Sequence, residues 1–165
     1  MLRLPQFSVE TPTTLEAALG LLADHAGRAL PVAGGTDLLP NLKHRLAEPE
    51  VLISLADVGE LRGISVGADG ALSIGAMTPL DQVANHPEVL ARAPALAQAA
   101  GIVASPQIRR MGTLGGNVML DTRCRYINQT HFWRKALGFC LKKDGTVCHV
   151  VAGGQKCVAA ASNDT

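Results

Sequence analysis

The chain has 165 residues, 47% of them hydrophobic and 18% charged, and its formal net charge is +1. This length and composition predict one folded domain with a hydrophobic core and exclude a disordered chain. The balanced charge argues against a general nucleic-acid binder, and the lack of a signal peptide or of a long apolar run predicts a cytoplasmic protein with no membrane partner.

The first predicted element is an amphipathic helix over residues 13–25. Its leucines and alanines recur at helical spacing. Thr13 is the predicted N-cap, and Glu16 three residues later completes a capping box.

A strand, a glycine turn, a helix and a second strand are predicted next. An apolar run at 30–33 precedes Gly34-Gly35, a helical pattern covers 36–46, and a buried strand covers 51–55. This order predicts a compact strand-helix-strand unit with a parallel pair of strands.

A hairpin and two helices complete the periodic part of the sequence. Short strands at 64–66 and 72–74 flank Asp69-Gly70, which is a hairpin turn signal. Helices are predicted over 79–85 and 87–103, and the second starts with a proline. After Pro106 the periodicity fades, and the whole pattern predicts an α+β fold.

Two glycine segments are candidate phosphate-binding loops. In Val32–Asp37 and in Thr113–Asn117, paired glycines let backbone N–H groups approach a phosphate closely. Tight connections between elements are the alternative explanation. Neither segment matches a P-loop or the G-x-G-x-x-G fingerprint, so a dinucleotide held by both would need a different scaffold. The neighbouring pair Arg109-Arg110 can meet a phosphate or lie on the surface.

All four cysteines lie in the last quarter of the chain, at Cys124, Cys140, Cys148 and Cys157. In a reducing compartment they predict a metal site, and two disulfides are the alternative. The spacing lacks the C-x2-C pairs of zinc ribbons and ferredoxins, so it leaves zinc and an iron-sulfur cluster open. His131 and His149 flank cysteines, but four sulfurs already complete a ligand set.

The segment around the cysteines is basic and aromatic. Its seven basic residues face only two acidic ones: Arg123, Arg125, Arg134, Lys135, Lys142, Lys143 and Lys156. They can offset an anionic cluster or form a solvated or subunit-contact surface. Four of the five aromatic residues predict a small core around the metal loop: Tyr126, Phe132, Trp133 and Phe139.

Taken together, the segments Pro31–Leu38, Thr113–Asn117 and Asn163-Asp164-Thr165 resemble the FAD-binding medium subunits of the molybdenum hydroxylases, the family of xanthine dehydrogenase and CO dehydrogenase. The cysteine-rich segment is similar to the insertion that distinguishes the beta subunits of 4-hydroxybenzoyl-CoA reductases, in which four cysteines bind a [4Fe-4S] cluster.

This resemblance implies a PCMH-type FAD-binding domain of the α+β class, incomplete at its C-terminus. The implied organisation is an α/β-type subdomain over about 1–56, the start of a second subdomain over about 57–120, and an iron-sulfur insertion over about 121–160. The chain is then a fragment of a longer subunit.

The resemblance also implies cofactor-binding residues and no catalytic residue. The implied FAD contacts are Pro31, Val32, Ala33, Gly34, Gly35, Thr36, Asp37, Leu38, Val103, Thr113, Leu114, Gly115, Gly116, Asn117 and Asp164. The implied cluster ligands are Cys124, Cys140, Cys148 and Cys157.

The implied function is electron transfer within an oxidoreductase. Ferredoxin is the implied donor, and the implied partners are a [2Fe-2S] subunit and a molybdenum-cofactor subunit that removes the phenolic hydroxyl of 4-hydroxybenzoyl-CoA to give benzoyl-CoA, in anaerobic aromatic degradation. Two alternatives stay open. One is the FAD subunit of another molybdenum hydroxylase, of the xanthine or CO dehydrogenase type, and the other is a zinc-stabilised interaction module.

Overall fold

The computed structural model describes residues 2–121 and 124–157. Both strands and helices are present, as the α+β prediction requires. Among the described helices, none is long and apolar enough to cross a lipid bilayer.

The described residues form two compact units. The first contains residues 6–38 and 49–119 and is called the glycine unit, because both glycine segments lie in it. The second contains residues 2–5, residues 39–48 and the described part of 120–157, and it is called the cysteine unit.

The glycine unit contains a parallel three-stranded sheet. Strand β1 spans Ser8–Glu10, β2 spans Ala29–Val32 and β3 spans Val51–Ser54, in the spatial order β1-β3-β2. Its central strand, β3, is also its most buried, as a continuous apolar run predicts. The predicted parallel pair is confirmed, whereas the sequence does not predict β1, since its three residues carry no apolar run.

Helix α1 spans Leu15–Asp24 and packs against the sheet. Its N-cap is Thr14, whose hydroxyl accepts a hydrogen bond from Ala17 N at 3.2 Å. The predicted cap at Thr13 is therefore wrong by one residue. Glu16 cannot complete a capping box, because it occupies the second helical position rather than the third.

The predicted hairpin is confirmed. Strands β4 and β5 span Ile64–Val66 and Leu72–Ile74 and pair antiparallel. In the turn, the Asp69 carboxylate accepts a hydrogen bond from Ala71 N at 3.0 Å. An Asp side chain that bonds two residues ahead stabilises such turns.

Three helices follow the hairpin: α3 (Leu80–Asn85), α4 (Pro87–Arg92) and α5 (Pro94–Ile102). The prediction of one helix over 87–103 is wrong. Pro94 has no N–H group and disfavours helical backbone at the residue before it, and Ala93 accordingly has φ −137°. Apart from the core between α1 and the sheet, the glycine unit has another buried cluster, formed by residues of these helices: Leu80, Val83, Val89, Ala97 and Ala100.

Two short helices end the glycine unit. Helix α6 spans Pro106–Met111, and α7 spans Leu114–Val118. Ser105 caps α6 and Thr113 caps α7 through their hydroxyl groups. Both helices are too short for a periodic signal, so the sequence does not predict them, and the second glycine segment is the first turn of a helix rather than an open loop.

The cysteine unit has little regular structure. Helix α2 spans Leu38–Lys43, of which residues 39–43 belong to this unit, and α8 spans His131–Ala136. Tyr126 lies beside Trp133, with ring centroids 6.1 Å apart, so part of the predicted aromatic core forms. Phe132 is wrongly predicted to join it and is 83% exposed. Arg134, two residues after Phe132 in the same helix, is buried. Side chains two residues apart point to different sides of a helix, so the face that buries Arg134 leaves Phe132 in solvent.

Candidate cofactor-binding site

The first glycine segment, taken here as Pro31–Leu38, runs from the last two residues of β2 to the residue at which the next helix begins, at the carboxyl end of the parallel sheet. Within the described chain, the backbone N–H groups of Gly34, Gly35 and Thr36 have no hydrogen-bond partner. Consecutive unpaired N–H groups at a strand end form the kind of concavity that binds an anionic oxygen.

The second glycine segment, Thr113–Asn117, is fixed by hydrogen bonds to the stretch before α3. Leu114 N donates to Thr78 O at 2.9 Å, and Gly115 N donates to Ala76 O at 2.8 Å. The N–H groups of residues 116 and 117 both bond to Thr113. The backbone N–H groups of residues 114–117 are therefore used within the protein.

The two segments lie in contact within the glycine unit. A methyl group on Gly34 would overlap the carbonyl oxygen of Met111. One on Gly116 would lie 3.8 Å from the Cβ of Ala33. The first segment therefore packs backbone to backbone against the entry to the second, and only glycine fits at residue 34.

Glycine is also required at residue 115, on the other side of the second segment. A Cβ there would lie 2.7 Å from the Cβ of Ala76 and 2.9 Å from its carbonyl oxygen. The glycines predicted for phosphate approach thus serve close backbone packing in both segments, and the sequence alone does not reveal these partners.

Val103 and Arg109 lie together at the end of α5. Val103 packs on the core of α3 to α5, and its carbonyl oxygen accepts a hydrogen bond from Arg109 Nη1 at 2.8 Å. Arg109 thus binds a backbone carbonyl, whereas its neighbour Arg110 is exposed. The sequence offers a phosphate contact or a surface position for Arg109 and does not reveal this contact.

The four cysteines line one small cavity of the cysteine unit, which encloses about 20 Å³ of free space and is partly open to solvent. All four are free thiols, so the disulfide alternative is not realised. Cys124 is buried, Cys157 is exposed, and the other two are half-buried. Residues far apart in the sequence therefore converge on one space.

Lys142 brings positive charge to the same cavity. Its side chain lines the cavity, and its ammonium group pairs with the Asp121 carboxylate at 2.8 Å.

A buried arginine holds the cysteine unit together. The Arg134 guanidinium, in a residue only 2% exposed, donates to His44 O at 3.2 Å and to Arg45 O at 3.1 Å. Its Nε donates to Gln129 O at 3.3 Å. The sequence predicts Arg134 as one of seven surface or cluster-facing cations, and nothing in its spacing distinguishes it from the others.

The cysteines are not gathered around a single ion. Among the described residues, no group of three or more His, Cys, Asp or Glu side chains could hold a metal ion. One zinc ion bonded to sulfur at about 2.3 Å would draw its four sulfurs to within about 4 Å of one another. This arrangement does not match a preformed zinc tetrathiolate.

The two histidines near the cysteines have other contacts. His149 Nε2 donates to Phe139 O at 2.6 Å, and its ring lies 5.3 Å from that of Tyr126. The His131 ring lies 5.7 Å from that of Phe139. Neither geometry indicates metal ligation.

The remaining candidate residue, Asp164, lies outside the described residues, as does the whole segment 158–165.

Comparison with known proteins identifies a family for most of the chain. Residues 5–128 match the family described as "FAD binding domain in molybdopterin dehydrogenase". The carbon monoxide dehydrogenase medium chain of Hydrogenophaga pseudoflava is 41% identical over 69% of this chain and 39% of its own length. The nicotinate dehydrogenase FAD-subunit of Eubacterium barkeri is 41% identical over 68% of this chain and 38% of its own.

Solved structures agree with this match. Carbon monoxide dehydrogenase from Hydrogenophaga pseudoflava superposes with a TM-score of 0.68 at 40% identity, over 70% of this chain and 40% of that one. Quinoline 2-oxidoreductase from Pseudomonas putida 86 gives a TM-score of 0.67 at 39% identity, over 70% and 40%. The chain thus spans about two fifths of the relatives it matches. It belongs to the family of FAD-binding domains of molybdopterin dehydrogenases.

Proposed function

We propose that this chain is part of the FAD-binding medium subunit of a molybdenum hydroxylase and serves in electron transfer. The observation that carries the proposal is the packing of Gly34 against Met111, two residues before the second glycine segment. The chain is also about 40% identical to CO and nicotinate dehydrogenase subunits. These relatives support the xanthine or CO dehydrogenase type better than 4-hydroxybenzoyl-CoA reductase.

The first glycine segment is proposed to bind the FAD pyrophosphate. The unpaired N–H groups of Gly34, Gly35 and Thr36 supply its donors, because the N–H groups of residues 114–117 in the second segment already bond within the protein. Thr113–Asn117 supports the first segment by packing, and Val103 is proposed to face the flavin. FAD itself supplies the exchange between two-electron and one-electron transfer.

Flavin titration tests this proposal. Addition of FAD to the 165-residue chain should quench flavin fluorescence to a stoichiometry of about one FAD per chain, and FMN should bind more weakly because it lacks the pyrophosphate. A folded chain that binds neither flavin, or binds FMN equally well, contradicts the proposal.

A second proposal concerns the cysteines, and it rests on their convergence on one cavity. By the similarity to 4-hydroxybenzoyl-CoA reductase beta subunits, Cys124, Cys140, Cys148 and Cys157 ligate a [4Fe-4S] cluster. The donor set fits, since four free thiols are the usual ligands of such a cluster. Lys142 lies on the wall of the same cavity and places a positive charge near the four thiols.

Metal analysis separates the cluster from the zinc alternative. Chain purified without oxygen should contain about four iron and about four acid-labile sulfide, as a [4Fe-4S] cluster requires, and it should be brown. Replacement of Cys140 by Ser should lower both contents, while the flavin titration is unchanged. One zinc without sulfide would contradict the cluster and favour a zinc-stabilised module.

Within this proposal, the partners are a molybdenum-cofactor subunit and a [2Fe-2S] subunit, with ferredoxin as electron donor. Turnover of 4-hydroxybenzoyl-CoA by the assembled complex with a low-potential donor would support the reductase. Turnover of CO or a purine instead would favour another molybdenum hydroxylase.

A further inference from the structure

The turn between α5 and α6 adopts an unusual backbone conformation. Ala104 has φ +44°, in the left-handed region that residues with a Cβ rarely adopt. Such a conformation persists only where surrounding contacts hold it. Something in the glycine unit must therefore fix this turn.

Arg109 supplies that contact. Its Nη1 donates to Val103 O at 2.8 Å and lies 3.5 Å from Ala104 O. One guanidinium group therefore contacts the carbonyl of the strained residue and the carbonyl of the residue before it. No carboxylate of the described chain forms an ion pair with Arg109. Within the described chain, the Arg109 side chain forms hydrogen bonds only with the carbonyl oxygens of Val103 and Ala104. The guanidinium group of Arg109 therefore binds the backbone of this turn and no carboxylate of the described chain.

The same short helix connects this turn to the glycine segments. Helix α6 begins after Ser105, whose hydroxyl and carbonyl accept hydrogen bonds from Ile108 N and Arg109 N. It ends at Met111, whose carbonyl oxygen packs against Gly34. A shift of the turn is therefore passed along α6 to the candidate pyrophosphate site.

We infer that Arg109 is a positioning residue for the flavin site, which fixes the Val103–Ala104 turn rather than binding phosphate. The part of this inference that concerns flavin rests on the proposed function. The part that concerns the turn does not, because the hydrogen bonds and the φ angle are properties of the chain itself.

A pair of neighbouring substitutions tests the inference. Arg109→Gln and Arg110→Gln remove the same charge from the same helix, but only Arg109 contacts the turn. We expect amide hydrogen exchange across residues 103–109 to accelerate about tenfold or more in Arg109→Gln and to stay unchanged in Arg110→Gln. The FAD dissociation constant should rise about tenfold in the first variant only.

A rescue experiment separates positioning from charge. Glycine adopts positive φ freely, so Ala104→Gly in the Arg109→Gln background should restore most of the exchange protection and flavin affinity. Unchanged exchange in Arg109→Gln would overturn the inference, as would an equal loss of affinity in both arginine variants. If the wild-type chain binds no FAD, the proposed function fails, and the exchange measurement alone still decides the role of Arg109.

Discussion

The glycine unit and the cysteine unit fix their candidate sites in different ways. In the glycine unit, two sheets and two buried clusters support a site where backbone meets backbone, at Gly34 against Met111. In the cysteine unit, side chains converge on a cavity and one buried side chain, Arg134, links distant backbone segments. The first site should therefore be sensitive to any added atom, and the second to loss of a charged group.

The largest expected effect is that of Gly34→Ala. The added methyl overlaps the Met111 carbonyl, so the free energy of unfolding should fall by about 3 kcal/mol or more, and FAD binding should be lost. Gly20→Ala is the matched control, because it lies in α1 with nothing near its Cβ position. In urea denaturation, Gly20→Ala should raise the free energy of unfolding by up to about 1 kcal/mol. A tolerated Gly34→Ala would disprove the close contact.

Arg134→Met should have the next largest effect. Loss of hydrogen bonds to the carbonyls of Gln129, His44 and Arg45 should lower the free energy of unfolding by about 3 kcal/mol, measured by denaturation. Lys135→Met removes an exposed charge next to it and should change stability by less than about 0.5 kcal/mol. Equal effects of the two substitutions would mean that Arg134 does not hold the unit together.

Thr113→Ala should have the smallest effect, and it distinguishes stability from binding. Removal of this N-cap should cost about 1 kcal/mol, as should Thr14→Ala at the cap of α1. Because Thr113 belongs to the second glycine segment, only Thr113→Ala should also weaken FAD binding in a fluorescence titration. Similar FAD affinities in Thr113→Ala and Thr14→Ala would mean that the second glycine segment does not contribute to the flavin site.

The sequence predicts local features of the glycine unit well. The strand, glycine turn, helix and strand of residues 30–54 follow from apolar runs and paired glycines, which are local signals. The break at Pro94 is also local, but the alanine-rich pattern around it favours a continuous helix. The cap at Thr14 rather than Thr13 depends on where the first helical turn begins, which two adjacent threonines leave ambiguous.

The contacts that build the candidate sites are less predictable because they are non-local. Nothing in the sequence pairs Gly34 with Met111, and a double glycine is equally consistent with a simple turn. A buried arginine is rare, so Arg134 is indistinguishable from the surface cations around it. The convergence of four cysteines was expected from their number, but their spacing does not give the shape of the cavity.

An NMR titration of the isotope-labelled chain with FAD tests directly whether the first glycine segment binds the flavin. We expect the amide resonances of Gly34, Gly35 and Thr36 to shift most, because their N–H groups are unpaired in the described chain. The amide of Gly115, which is bonded to Ala76, should shift less. Saturable FAD binding that leaves the amide resonances of residues 34–36 unchanged would contradict the assignment of the pyrophosphate to this segment.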